Sequence, residues 1–337
     1  MAAGKIKEIV LKRSVLKELS PVLGKEIAKP SVGQDATGCL LSKDCGLYTS
    51  VATMEGLGEI FVTNAFYRAM NNIYVKSAKP IGITVSLMLR YGAREAELKR
   101  IMRHLCQLCE MNHITILGGE TTRSASAKEH ILTIQALGTK EIHASSFKRE
   151  KPEVVSSKIV MAGVAGGAGT LVWLSGKKEE LSSRFSEAFL LGTKQLQDQL
   201  SIKNQMDIIG GFDTIYAHDV SEGGIFTALW EVGEHLNCGM RVDLHQIMLS
   251  QQTIEICEFY DLNPYVLFSL GCTLIVTKEP EELMNAFEEN GIPAAVIGTL
   301  TADSDRIIDN GEEIRYLEPY KGDEMYKLGN DESKGED

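Results

Sequence analysis

Short apolar runs alternate with stretches of helical periodicity along most of this chain. The runs have the length and composition of buried strands: 38–41, 47–52, 81–89, 114–117, 131–137, 159–164, 272–276 and 294–297. Other segments repeat apolar residues every three or four positions, as amphipathic helices do: 56–74, 95–112, 179–190, 193–200, 251–260 and 281–290. This alternation predicts an α/β protein in which polar and glycine-rich corners follow the strands.

The clearest helical pattern follows residues 218–224, which read His-Asp-Val-Ser-Glu-Gly-Gly. Behind them, apolar residues recur at helical spacing: Ile225, Ala228, Leu229, Val232 and Leu236. Gly223 and Gly224 would leave the first amides of this helix open to a phosphate. Asp219 precedes them, and a carboxylate beside a phosphate requires a bridging divalent cation. A plain helix start with an Asp or Ser cap explains the segment about equally well.

A polar, charged segment at 144–157 divides the chain into two halves and contains Pro152. We therefore predict an N-terminal domain at 1–150, opening with an entry arm at 1–30, and a C-terminal domain at 151–317. The acidic residues 318–337 are predicted to form a flexible tail. The glycine-rich residues 165–170 are interpreted as a tight strand-to-helix connection rather than an anion-binding loop.

The overall charge argues against several classes of partner. The 337 residues contain 35 Lys and Arg against 46 Asp and Glu, a formal charge of −11. Nucleic acid and anionic membranes are therefore not expected partners. The N-terminus has no secretory signal core, and no apolar run is long enough to span a bilayer, so a cytoplasmic location is expected.

Seven cysteines at irregular spacing do not suggest a disulfide framework. Cys106 and Cys109 form a C-x-x-C with His104 and His113 on either side. All four fall in or beside one predicted helix, which does not wrap four ligands around a single ion. We expect buried thiols here rather than a zinc site.

Short motifs in the first half complete the candidate chemistry: Gly-Gln-Asp-Ala at 33–36, Asn-Asn at 71–72, Ser-Ala-Lys-Pro at 77–80 and Gly-Gly-Glu-Thr at 118–121. Together with 218–224, their order and spacing resemble the AIR synthase-related (PurM-like) superfamily of ATP-binding proteins. The resemblance covers roughly residues 20–305. In the C-terminal half it is to the hydrogenase-maturation branch in particular.

The resemblance implies a fold and an assembly. The expected fold has an N-terminal αβ domain, whose sheet forms a shared β-barrel in a homodimer, and a C-terminal αβ domain. It implies ATP and Mg²⁺ as cofactors and an acceptor of unknown identity, either a small molecule or a protein.

The resemblance also assigns roles to individual residues. Asp35, Asp219 and Glu120 would hold or help to place the metal, and His218 and Glu120 are the catalytic candidates. The residues implied in nucleotide binding are Asn71, Asn72, Gly118, Gly119, Thr121, Gly223 and Gly224. For His218, a structural hydrogen bond at the strand end is at least as good an interpretation as proton transfer.

Departures from the family pattern weaken the implied metal site. Met54 stands where the family has an aspartate after two threonines, and Asn72 stands where it has the Asp of an Asn-Asp pair. Glu55 is adjacent, but neighbouring strand residues point to opposite faces. The sequence ends without the terminal cysteine of the hydrogenase-maturation branch, and residues 1–38 lack the cysteine that selenophosphate synthetase requires.

Two hypotheses follow. The first is an ATP-dependent enzyme that phosphorylates an amide or carboxyl-type oxygen so that it can be displaced. The alternative is a catalytically silent homodimer that serves as a binding or regulatory protein. A dinucleotide-dependent oxidoreductase is disfavoured because no G-x-G-x-x-G lies between a first strand and helix.

Overall fold

The computed structural model describes residues 4–22, 26–142 and 153–330. These residues form two compact units. The N-terminal unit contains residues 26–29 and 35–142, and the C-terminal unit contains residues 153–330 together with 4–22 and 30–34. Most of the predicted boundary at 144–157 lies outside the described residues. Residues 4–22 of the entry arm, which the prediction placed in the N-terminal domain, pack with the C-terminal unit, whereas residues 26–29 belong to the N-terminal unit.

The N-terminal unit is a six-stranded sheet with two helices on one face. Its strand order is β1-β2-β3-β6-β4-β5, and only the β4–β5 pair is parallel. The strands are β1 (Glu26–Ala28), β2 (Thr37–Ser42), β3 (Cys45–Gly56), β4 (Lys79–Leu89), β5 (Ile116–Arg123) and β6 (His130–Glu141). The helices are α3 (Ile60–Tyr74) and α4 (Glu95–Met111).

Alternation along β3 explains how this sheet is buried on one side. Ser50, Ala52 and Met54 are buried, whereas Val51 and Thr53 between them are exposed. Because side chains alternate across a strand, the first set faces the helices and the second faces away from them. The helices contribute a continuous apolar core: Phe61, Phe66, Met70, Ile73, Ile101 and Leu105.

The Gly-Gly-Glu-Thr motif lies within β5. The sequence pattern had instead placed it in a corner after a shorter strand. β5 is an edge strand, so it pairs on one side only, with β4, and Ser86 lies opposite Glu120. An edge position tolerates glycine better than a central strand does. At Gly119 a side chain would collide with the carbonyl oxygen of Val85. The glycine therefore permits the pairing.

The C-terminal unit is built on a seven-stranded sheet of order β13-β12-β9-β11-β7-β10-β8. The pairs are antiparallel except β9–β12. Every residue of β10 is buried, as expected for a strand covered on both faces. The strands are β7 (Lys158–Ala162), β8 (Thr214–Val220), β9 (Gly239–Asp243), β10 (Cys272–Thr277), β11 (Ala294–Thr301), β12 (Arg306–Asp309) and β13 (Ile314–Tyr316).

Helices surround this sheet. They are α5 (Gly167–Gly176), α6 (Lys178–Arg184), α7 (Glu187–Asp198), α8 (Lys203–Ile209), α9 (Gly224–Leu236), α10 (Gln251–Phe259), α11 (Pro280–Glu289) and α12 (Lys327–Asn330). Helix α9 has the predicted apolar face, with Ile225, Ala228, Leu229 and Val232 in the core. Because α5 begins at Gly167, the glycine-rich segment is the predicted strand-to-helix connection. The prediction of an α/β fold with two units is confirmed.

The described part of the predicted flexible tail, residues 318–330, is ordered and packed. Tyr320, Asp323 and Met325 are buried, and a 3₁₀ turn at Glu324–Tyr326 leads into α12. The prediction of a flexible tail is therefore wrong for residues 318–330. It relied on the acidic composition and overlooked the apolar and aromatic side chains that pack on the C-terminal unit. Residues 331–337 lie outside the described residues.

Residues 8–22 of the entry arm are helical, and this part of the arm lies against α9. It contains α1 (Glu8–Leu11) and α2 (Lys17–Leu19), joined by a π-helical turn at Lys12–Leu16. Trp230 Nε1 donates to Glu8 Oε2 at 2.6 Å, and Lys12 Nζ lies 2.6 Å from Glu234 Oε2. The polar side of α9 is therefore covered by the arm. No helix in the described ranges is both long and apolar enough to cross a bilayer.

Candidate functional site

Asp35 is paired with a lysine in the N-terminal unit. The Nζ atom of Lys76, which follows α3, lies 3.1 Å from Asp35 Oδ2. The Asp35 side chain is 5% exposed and that of Lys76 is 13% exposed, so the pair is largely shielded from water. Lys140 Nζ donates to the backbone oxygen of Lys76 at 2.9 Å, which places a second ammonium beside the Lys76 backbone.

The surrounding residues do not fit a magnesium ion held by Asp35. Magnesium requires several hard oxygen ligands, usually carboxylates. Met54, in place of the second carboxylate, is buried on the helix-covered face and its sulfur accepts a hydrogen bond from Arg68 Nη1 at 3.8 Å. Glu55 points to the opposite face, where it is exposed. The described residues contain no group of three or more His, Cys, Asp or Glu side chains suited to a metal.

The other candidate residues of this unit differ in accessibility. Asn71 is completely buried in α3, and Asn72 is half-buried. Residues 118–121 are all exposed along β5, and a side chain added at Gly118 would meet no atom within 4 Å. A ligand can therefore reach Gly118 directly, whereas Val85 closes the side-chain position of Gly119; Glu120 and Thr121 are exposed beside them. Their roles in nucleotide binding stay predictions.

In the C-terminal unit, residues 218–224 join β8 to α9 as the sequence indicated. His218 and Asp219 lie near the end of β8, opposite Leu274 and Thr273 of β10, and both are buried. Gly223 precedes the helix with φ +86°, a conformation that favours glycine. The strand places Asp219 in the interior of the unit, where only 2% of the residue is exposed. Its metal-binding role stays a prediction.

The Gly223 and Gly224 amides, which were expected to bind phosphate, donate hydrogen bonds to other groups of the protein. Gly223 N donates to Asp323 Oδ2 at 2.6 Å, and Gly224 N donates to the oxygen of Ser221 at 3.1 Å. Asp323 Oδ1 also accepts from Phe268 N at 3.0 Å and Met325 N at 2.9 Å. A carboxylate from the C-terminal segment thus fills the anion position at the start of α9.

Two opposing effects act on the Asp323 carboxyl group. Burial raises its pKa to about 7, and the nearby Glu222 carboxylate acts in the same direction. The three backbone amides act in the opposite direction because they favour the ionised form. Glu222 is itself buried and accepts from Tyr320 Oη at 3.0 Å and from the amide of Lys5 at 2.6 Å.

His218 belongs to a hydrogen-bonded network with Glu231 and the entry arm. His218 Nε2 lies 3.0 Å from Glu231 Oε2, and Lys5 Nζ lies 2.9 Å from Glu231 Oε1. Although burial favours its neutral form, Lys5 and His218 lower the pKa of Glu231 to about 2, so His218 is the donor. Tyr216 stacks on His218 and donates its hydroxyl to the oxygen of Gly33. This geometry favours the structural interpretation of His218, and its proton-transfer role stays a prediction.

The two thiols of the C-x-x-C segment on α4 differ in burial. Cys109 is buried, and burial raises the pKa of its thiol to about 11, while Cys106 is exposed. His104 Nε2 is hydrogen-bonded to Thr63 Oγ1 at 2.7 Å. The expectation of buried thiols therefore holds for Cys109 and is wrong for Cys106.

Sequence reasoning missed Lys76, Asp323 and Glu231, which supply the charges opposite the predicted residues. Lys76 and Asp35 are 41 positions apart in sequence, and no local pattern links them. Asp323 had a detectable signal, because Tyr320, Met325 and other apolar residues interrupt the acidic segment.

Comparison with known families and proteins gives consistent matches along the chain. Residues 31–139 match the N-terminal domain of AIR synthase related protein, and residues 155–310 match its C-terminal domain. A putative hydrogenase expression/formation protein of Methanocaldococcus jannaschii is 22% identical over 322 residues, 91% of each chain. The carbamoyl dehydratase HypE of Rhodobacter capsulatus is 24% identical over 247 residues, which cover 69% of this chain and 68% of HypE.

Solved structures share the fold at low sequence identity. HypE in complex with ATP has a TM-score of 0.68 and 16% identity, covering 96% of this chain and 97% of that one. The HypE–HypF complex has a TM-score of 0.69 and 16% identity, covering 91% and 100%. ThiL complexed with AMPPCP and TMP has a TM-score of 0.69 and 15% identity, covering 95% and 99%.

Proposed function

Since this chain belongs to the AIR synthase-related proteins, we propose that it binds ATP and acts as a cytoplasmic protein of the hydrogenase-maturation type. The observation that carries this proposal is the likeness of nearly the whole chain to HypE in complex with ATP. The relative from Methanocaldococcus jannaschii, itself named for hydrogenase formation, supports the same assignment over 91% of the chain.

The nucleotide site proposed here includes the exposed edge strand of the N-terminal unit. Residues 118–121 offer the unpaired side of a glycine-containing backbone and a threonine hydroxyl to a ligand, and Gly118 has open space in front of it. Backbone amides of glycine-rich segments are well suited to phosphate oxygens, because no side chain keeps the phosphate away. Asn72 is the half-buried amide on α3 that would contribute a further polar contact.

The reaction proposed for an active enzyme is the activation of an oxygen. An amide or carboxyl-type oxygen of the acceptor attacks the γ-phosphorus of ATP, the bond from that phosphorus to the bridging oxygen breaks, and ADP leaves. The phosphorylated oxygen is then a good leaving group. Support for this chemistry comes from the similarity to carbamoyl dehydratase HypE.

The assembly proposed is a homodimer formed through the outer face of the N-terminal sheet. This face carries uncharged side chains at its centre: Val51, Thr53, Thr84, Met88, Thr133 and Gln135. Val51 is 59% exposed, and Thr53 and Thr133 share a hydrogen bond at 2.9 Å. An uncharged, partly apolar sheet face of this kind suits burial against an identical copy. A protein acceptor is also supported, since HypE forms a complex with HypF.

A second function, a catalytically silent binding protein, is favoured by one specific observation. Asp35 is paired with the ammonium of Lys76, and Met54 supplies no oxygen ligand. Such a protein would bind the nucleotide and the partner without transferring phosphate.

Calorimetric titration with ATP, followed by an assay for phosphate release, tests the proposal. The most informative variant is Gly118→Asp. The new side chain fits without a steric clash and places a negative charge at the proposed phosphate site. We expect ATP affinity to fall at least tenfold, whereas the neutral control Gly118→Asn stays within about threefold of the wild type. Absence of ATP binding in the wild type would refute the proposal. Binding without phosphate release in the presence of candidate acceptors would favour the silent protein.

A further inference from the structure

The starting observation is the position of Lys76. Its ammonium lies 3.1 Å from Asp35 Oδ2, and both side chains are largely buried. A magnesium ion ligated by Asp35 would occupy the same space in front of that carboxylate, because Mg–O distances are about 2.1 Å. A divalent ion and an ammonium so close together would repel each other strongly in a site shielded from water.

The rest of the site strengthens this conflict. Lys140 Nζ reaches the backbone oxygen of Lys76, and burial together with the charge of Lys76 lowers the pKa of Lys140. A second lysine therefore lies next to Lys76, whereas a metal site needs additional negative charge. Met54 and Asn72 add no compensating carboxylate.

We propose that the Lys76 ammonium takes the place of a magnesium ion beside Asp35. In the same proposal, Lys76 and Lys140 neutralise the phosphate groups of a bound nucleotide. Asp35 then serves to orient the ammonium rather than to ligate a metal. An ammonium is a compact point charge that commonly binds phosphate, so the substitution is chemically reasonable. The nucleotide half of this inference rests on the proposed function; the metal half does not.

The metal half is tested with Mn²⁺ alone, a magnesium substitute whose free concentration is read from its paramagnetic resonance signal. We expect wild-type protein to bind no Mn²⁺ in a manner that depends on Asp35. Lys76→Met removes the ammonium with a side chain of similar length, and we expect Mn²⁺ binding that depends on Asp35 to become measurable. The double variant Lys76→Met with Asp35→Asn should lose that binding.

The matched control is Lys76→Arg, which retains a cation and should resemble the wild type. Because Lys76→Arg keeps a positive charge beside Asp35, it shows whether a change in Mn²⁺ binding comes from loss of the charge or from replacement of the lysine. Two results would overturn the inference: Mn²⁺ binding to the wild type that Asp35→Asn abolishes, or no Mn²⁺ binding to a folded Lys76→Met variant.

The nucleotide half is tested by measuring ATP affinity with magnesium and with a chelator. We expect the wild type to change less than about threefold between the two conditions, and Lys76→Met to bind at least tenfold more weakly than the wild type in chelator. Tight wild-type binding that requires magnesium would overturn the inference and leave the proposed function intact. No ATP binding under either condition would refute the proposed function and this half of the inference, while the Mn²⁺ result still decides the metal half.

Discussion

Asp35 in the N-terminal unit was predicted to bind a cation, and Gly223 in the C-terminal unit was predicted to bind an anion. In the structure, each contacts a side chain that carries the same charge as the predicted ligand. The carboxylate of Asp35 faces the Lys76 ammonium in place of a metal cation. The amide of Gly223 faces the Asp323 carboxylate in place of a phosphate. A short motif therefore identifies the charge that a site requires, but not whether the ligand or the protein supplies it.

The two sites differ in how firmly the internal partner is held. Asp323 accepts three backbone hydrogen bonds and belongs to a packed segment. Lys76 has a flexible side chain that is 13% exposed. We infer that Asp323 is part of the folded core, whereas Lys76 can move to accommodate a ligand.

The largest expected effect is that of Asp323→Ala. It leaves the buried amides of Gly223, Phe268 and Met325 without their acceptor, so we expect a loss of roughly 3–5 kcal/mol in the free energy of unfolding. Asp323→Asn keeps one acceptor oxygen and should lose about half as much. Chemical denaturation measures both. An Asp323→Ala variant as stable as the wild type would show that Asp323 does not hold the start of α9.

The pH dependence of stability should be the next largest effect. Because the pKa of Asp323 is raised from 3.8 to about 7 in the folded state, the folded protein retains a proton there that the unfolded chain has lost. The contribution of Asp323 to stability therefore falls as pH rises from about 4 to 7 and is constant above that range.

Comparison of wild type with Asp323→Asn at pH 5 and pH 8 isolates this effect. We expect the stability difference, wild type minus variant, to fall by on the order of 2 kcal/mol between these pH values. A difference that is constant would mean that the three amides outweigh burial and keep the carboxylate ionised.

The smallest effect is expected at the other site. Asp35→Asn weakens the compensation of the Lys76 charge, but the flexible lysine can reach water, so we expect a loss of about 1 kcal/mol at pH 7. Asp207→Asn, in the exposed Lys203–Asp207 pair, is the control and should cost less than about 0.5 kcal/mol. If Asp35→Asn were as destabilising as Asp323→Ala, the proposed difference in rigidity would be wrong.

Much of the fold was predictable because burial leaves a periodic trace in the sequence. The apolar face of α9 and the runs that became β4, β6 and β10 appeared at the expected places. Edge strand β5 was predicted too short, since glycine and polar residues are tolerated where one side is unpaired.

The candidate site was less predictable because it depends on contacts between distant positions. The resemblance to the family pointed to Asp35, and the glycine pair before α9 pointed to Gly223, but their partners Lys76 and Asp323 lie 41 and 100 positions away. Composition was misleading at 318–330, where charged residues outnumber the few apolar side chains that hold the segment in place.

The entry arm has a consequence for the order of folding. Its contacts from Lys5 to Glu222 and from Glu8 to Trp230 join positions 217 and 222 residues apart. Contacts of such long sequence separation close large loops and form late. During synthesis, the arm leaves the ribosome before α9 has been made, so its helices wait for most of the C-terminal unit before they dock.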